Sequence, residues 1–196
     1  MKNFTIITLF VMVCSTLTAQ HMHMNPGIKA GLNLASLNSE NDDFDYSFNT
    51  SLNAGVFVHM HFNKLIAIQP ELNFSGQGAQ YDFAGTNLHL NLAYVNLPVI
   101  LQIMLGNGFR LQTGPQVGVL VSANSKEGDT STDVKSSFNK PDLSWMFGAS
   151  YVHKSGFGLD ARYNLGLSNI NEDDSEKIKN SVIAISLFYQ LKGKHD

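Results

Sequence analysis

Residues 157–168 read FGLDARYNLGLS, and their side chains alternate between two unlike sets. Phe157, Leu159, Ala161, Tyr163, Leu165 and Leu167 share one parity, while Gly158, Asp160, Arg162, Asn164, Gly166 and Ser168 share the other. That is the period-2 pattern of a strand with an oily face and a polar face. Asp160 and Arg162 stand mid-strand, so the polar face reads as the lining of a closed interior and the oily face as turned to lipid. The same alternation predicts further strands over 27–37, 52–62, 65–76, 88–104, 109–121, 143–153 and 181–191. In the first, Ile28, Ala30, Leu32 and Leu34 oppose Lys29, Gly31 and Asn33; in the second, Phe57 is an apolar exception on the polar side. Two irregularities are expected. Pro70 cannot donate to a ladder and predicts a local distortion. The fourth strand changes parity from Leu88, Leu90 and Leu92 to Val95, Leu97, Val99, Leu101 and Ile103, which predicts an extra residue near Tyr94.

The connections between these strands alternate in length. Short turns are predicted at 63–64, 105–108 and 154–156, and long polar loops at 38–51, 77–87, 122–141 and 169–180. Consecutive antiparallel strands then carry every short turn at one end and every long loop at the other, the organisation of a transmembrane barrel. Strands near ten residues match a tilted crossing of the hydrocarbon layer. The predicted fold is all-β: an eight-stranded antiparallel up-and-down transmembrane β-barrel over 27–191. Phe62, Phe109, Tyr151, Phe157 and Tyr189 all take the oily parity at the short-turn end, the pattern of an interfacial aromatic girdle. Phe74 and Trp145 lie toward the other end, where a second ring is expected.

Composition agrees with one such domain. Of 196 residues only 15% are charged, glycine is frequent, and the net charge of -3 leaves no basic stripe for nucleic acid. Residues 1–19 read as a signal peptide that is removed: a lysine, an apolar run too short to span a bilayer, then small residues up to Ala19. Residues 20–26 form a short tail and 192–196 another. The single cysteine, Cys14, lies inside the signal, and lipid attachment there is the alternative to simple cleavage. The mature chain therefore carries no thiol or disulfide chemistry. Cleavage after Gln20 exposes His21-Met22-His23, whose third-position histidine suits a square-planar copper site; a flexible tail is the plainer reading.

Lys29, Glu71, Arg110, Asp160 and Arg162 all fall on the polar parity. An eight-stranded barrel is just filled by its own side chains, so these five are expected to pair as a buried ion network rather than line a pore. The other reading makes Glu71, Asp160, His59 and His61 an acid/base site, although no catalytic triad order, zinc spacing or phosphate-cradling loop accompanies them. No catalytic residue, metal site or cofactor is assigned. Acidic clusters in the first long loop (Glu40, Asp42, Asp43, Asp45) and the last (Glu172, Asp173, Asp174, Glu176) are candidates for calcium or for bridging to lipopolysaccharide, or else solvated loop tips.

Five stretches in order carry a family likeness: Gly27-Ile28-Lys29-Ala30-Gly31-Leu32-Asn33, Gln69-Pro70-Glu71-Leu72, residues 94–98 with the apolar run after them, Thr113-Gly114-Pro115, and Leu159-Asp160-Ala161-Arg162-Tyr163-Asn164-Leu165-Gly166. Together they resemble the PorT-like outer-membrane β-barrel family over nearly the whole mature chain. The resemblance implies an outer-membrane barrel of Gram-negative bacteria, with both termini periplasmic and the long loops extracellular, and it brings an association with protein export. The end of the chain departs from the usual terminal aromatic, since Phe188 and Tyr189 are followed by Gln190 and six more residues. The expected partners are outer-membrane lipid, lipopolysaccharide, and secretion-machinery or surface proteins. Three functional classes stay open: a non-enzymatic barrel in a structural, surface-interaction or secretion role; a soluble lipocalin-like carrier with its oily face inward; and a small membrane enzyme acting on lipid through His59 or His61.

Overall fold

The computed structural model describes residues 24–39, 47–83, 86–128, 130–173 and 177–191. The signal segment with Cys14, the His21 and His23 pair, the acidic residues Glu40, Asp42, Asp43, Asp45, Asp174 and Glu176, and the tail 192–196 lie outside them. The strands are β1 (Met24–Ser39), β2 (Ser47–His61), β3 (Ile66–Phe83), β4 (Thr86–Gly106), β5 (Phe109–Glu127), β6 (Thr130–Asp133), β7 (Pro141–Val152), β8 (Phe157–Gly166) and β9 (Ile178–Gln190), with a turn of 3-10 helix at Lys135–Ser137. Each long strand pairs antiparallel with its sequence neighbours, β4 pairs with β5, and β1 pairs with β9 from Gly27↔Gln190 to Ser39↔Ile178. Eight strands thereby close a barrel with no free edge. Short β6 is the ninth and pairs only with the far end of β5, Asn124 to Glu127.

Local chemistry sets the short turns. Asn63 Oδ1 accepts from the N–H groups of Leu65 and Ile66 at 2.8 and 2.7 Å, a side chain standing in for a turn carbonyl. Gly106, Asn107 and Gly108 all have positive φ (89°, 50°, 90°) between β4 and β5, a conformation glycine and asparagine tolerate. At the other end the predicted loops are partly wall. β3 runs on to Phe83 and β4 begins at Thr86, so most of 77–87 is ladder. β5 continues to Glu127 and folds back as the β5–β6 hairpin.

The faces are those the alternation predicts through the middle of the barrel. Ile28, Leu32, Val56, Leu72, Val99, Leu111, Leu159 and Leu187 point out and are exposed, while Lys29, Asn33, Asn53, Gln69, Glu71, Gln112, Asp160 and Arg162 point in and are buried. A soluble carrier needs the reverse arrangement. The fourth strand is the exception to the expected pattern. β4 keeps one parity throughout: Leu90, Leu92, Tyr94 and Asn96 are all buried and inward, and Val95, Leu97, Val99, Leu101 and Ile103 point out. Leu90 and Leu92 were expected on the outer face and lie inside. A register shift does occur at Ala93/Tyr94, but the additional residue is Val121 on β5, between the pairs Tyr94↔Leu120 and Ala93↔Ser122. The distortion at Pro70 takes a different form again. The β2–β3 ladder passes from Phe57↔Glu71 to Met60↔Ile68 with no pair between and no change of register.

Candidate functional site

Arg162 on β8 and Glu71 on β3 stand on opposite walls, four strands apart in either direction around the closed sheet. Arg162 spans the lumen as a fork: Nη1 donates to Glu71 Oε2 and Nη2 to Glu71 Oε1, both at 2.8 Å, the bidentate geometry that makes guanidinium–carboxylate pairs strong. Nη2 also donates to Asp160 Oδ2 at 2.9 Å, and Nε lies 2.6 Å from Asp160 Oδ1. Lys29 on β1 completes the cluster, with Nζ 3.4 Å from Glu71 Oε2 and 3.7 Å from Asp160 Oδ1. Amides from the walls complete the coordination of the carboxylates. Gln69 and Asn73 donate to Glu71 at 2.7 and 2.8 Å, Gln112 donates to Asp160 at 2.8 Å, and Gln102 holds Gln69 at 3.1 Å. Gly148 faces Arg162 across the β7–β8 ladder, and a Cβ there would come within 2.9 Å of the arginine side chain. Here the glycine makes room for the long arginine.

Arg110, expected in the same network, stands apart from it. Its Nη2 donates to the Gln190 amide oxygen at 3.0 Å, and no carboxylate among the described residues comes within ion-pairing distance. His59 and His61 face each other at the short-turn end, with Nε2 atoms 3.0 Å apart and rings nearly perpendicular. The carboxylates considered as their acid/base partners spend their oxygens on Arg162, Lys29 and the amides. Among the aromatics, Phe109 and Tyr151 are cross-strand partners with ring centroids 4.8 Å apart, and Phe157 and Tyr189 are partners at 4.7 Å. Phe62 stands exposed beyond the end of β2, at the turn into β3. Phe74 and Trp145 are exposed, and the indole N–H donates to Thr113 Oγ1 at 2.9 Å.

Two features of the interior escaped the sequence reading. Toward the long-loop end the lumen is filled by hydrocarbon: Leu37, Ala79, Leu90, Leu92, Tyr94, Leu120, Ala123 and Ile170 form one buried cluster, with Val134, Phe138 and Ile178 packed against it. The segment before β7 and the segment after β8 are stitched together over this cluster. Asn139 N–H donates to Ile170 O at 2.8 Å, its side-chain amide reaches Asn171 O at 2.7 Å, and Phe138 bridges Asn171. Between the two levels sits Asp142, a buried carboxylate that accepts from Asn180 Nδ2 and Ser168 Oγ, both at 2.9 Å. Its signal was present, since Asp142 shares the polar parity of Ser144 and Ser150 one step ahead of the predicted strand.

Residues 18–172 match the family model described as outer membrane protein beta-barrel domain. The chain belongs to that family. The barrel is also similar in fold to solved outer-membrane structures. The attachment invasion locus protein Ail of Yersinia pestis aligns with a TM-score of 0.53 at 14% identity, over 87% of this chain and all of that one. Neisserial surface protein A aligns with a TM-score of 0.56 at 11% identity, over 84% of this chain and 96% of that one. Ail has also been solved in complex with the heparin analogue sucrose octasulfate. No curated protein sequence matches the chain. At such identities the structural likeness concerns the fold alone: this is an outer-membrane protein with a closed eight-stranded barrel.

Proposed function

We propose that this protein is a non-conducting, non-enzymatic barrel of the PorT-like kind, whose stitched long-loop end faces the cell exterior as an interaction surface in a structural, surface-binding or secretion accessory role. The observation that carries the reading is that the lumen is blocked twice. A cross-lumen ion cluster fills its middle and a hydrocarbon cap fills its far end. An eight-stranded cylinder so filled offers solutes no path. What remains for function is the platform above the cap, made of the β5–β6 hairpin and the segments joined by Asn139. Its partners are the surrounding lipid and lipopolysaccharide, and proteins of the surface or of an export machinery; the last follows from the family resemblance. The termini then lie on the periplasmic side.

The reading is tested by reconstituting the protein in planar bilayers and by deleting it in its host. The expected result is no single-channel steps above the lipid baseline, together with loss of particular proteins from the cell surface of the deletion strain. Stepwise conductance would overturn the blocked lumen, and an unchanged surface proteome would overturn the export role.

A further inference from the structure

The lipid-facing belt is notched where β1, β2 and β3 lie side by side. A groove of about 440 Å³ opens on the outer wall between Pro26, Ile28, Val58, Pro70, Leu72 and Leu191. Its cause is local. Pro70 has no N–H to give, and the ladder between β2 and β3 skips the pairs beside it. Gly27 and Phe57 also line the groove from inward-facing positions, Phe57 meeting Phe188 edge-on inside the barrel with ring centroids 5.8 Å apart.

We propose that this groove holds one acyl chain of a phospholipid from the leaflet that meets the short-turn end. Four observations select that occupant. The groove is continuous with the belt of outward aliphatics, including Ile28, Val56 and Leu72, that faces acyl chains in an outer-membrane barrel. Its volume falls within the roughly 300–1,000 Å³ of small-molecule sites. A gap in a ladder at hydrocarbon depth has no water to complete it and is stabilised by close apolar cover. Finally, Lys64 stands exposed in the turn joining the two strands that border the groove, a cation on the headgroup side. The site depends on the barrel spanning a bilayer and is independent of the surface role proposed above.

The test uses the full protein in phosphatidylcholine vesicles containing a trace of phosphatidylethanolamine with a diazirine midway along one acyl chain. After irradiation, label is mapped by peptide mass spectrometry. It is expected to concentrate on 26–28, 56–58 and 70–72, several-fold above the outward residues of β7 on the far wall. Val58→Trp, which fills the notch, should reduce that label to the level of the rest of the belt, whereas Ala149→Trp on β7 should leave it unchanged. Folding of each variant is checked by compact migration of the unboiled protein, and Leu72→Phe takes the place of Val58→Trp should that variant not reach the compact form. Label spread evenly around the belt, label undiminished in a folded groove-filling variant, or capture of a free diazirine fatty acid but not of the phospholipid would each overturn the proposal.

Discussion

The two ends of β4 carry their hydrocarbon on opposite faces of one wall. Along 95–103 the aliphatic side chains point outward and the inward positions include Asn96 and Gln102; along 89–94 the inward side chains are Leu90, Leu92 and Tyr94, and the outward ones are His89, Asn91 and Ala93. The neighbouring strand also ends with hydrocarbon inside, with Val117 and Val119 outward and then Leu120 and Ala123 inward, the bulge at Val121 shifting its parity between these last two. β4 itself carries no extra residue at the crossover and keeps its parity through it; the bulge beside it belongs to β5. What changes is the outer medium. Where lipid surrounds the wall, apolar groups gain by facing out and the interior must hold the polar groups; where water surrounds it, the same physics assigns the faces as in a soluble barrel. The inversion near Tyr94 therefore marks the level at which the wall leaves the hydrocarbon.

This contrast can be broken at several points, beginning with the largest expected loss. Arg162→Ala strands two buried carboxylates and should cost about 3–5 kcal/mol, read as a lowered midpoint for denaturant unfolding in micelles. A parent-like midpoint would mean the cross-lumen fork contributes nothing. Val99→Arg, on the outer face below the inversion, should cost about 2–4 kcal/mol by the same assay. His89→Arg, on the outer face above it, should stay within about 0.5 kcal/mol. Equal losses at the two sites would remove the change of medium as the cause. Leu92→Ala opens a cavity in the cap and should cost at least about 2 kcal/mol. Unlike Arg162→Ala, it should speed tryptic nicking after Lys126, which stands exposed near that end. Asn139→Ala removes the side-chain links of the stitch and should cost about 1 kcal/mol, visible as a smaller rise in the same nicking with heat resistance of the barrel nearly intact.

Most of the barrel was legible in the sequence because period-2 alternation specifies two faces and a one-residue slip would exchange them. That is why Ile28 through Leu34, and Phe157 through Leu165, take the faces expected. Alternation does not say which face looks outward, and equating oil with lipid everywhere misplaced Leu90 and Leu92. The apparent change of parity in β4 was a change of solvent, while the real bulge fell on the neighbouring strand at Val121, where a run of valine and serine gives no warning. For the charged lumen, parity put all five residues inside but could not set their heights along the axis. Lys29, Glu71, Asp160 and Arg162 meet, whereas Arg110 stands nearer the short turns and finds Gln190. The cap was hidden for a related reason: Phe138 and Ile170 lie in stretches that read as polar loop, and only the stitch through Asn139 brings them over the lumen.

The seam between β1 and β9 joins the two extremities of the chain along thirteen registered residue pairs. No earlier hairpin can substitute for it: until the last strand arrives, β1 is paired on its β2 side alone and its other edge stays open. Docking segments so distant in sequence is entropically slow. Closing the wall therefore requires β9 to reach β1, however the intervening strands are ordered.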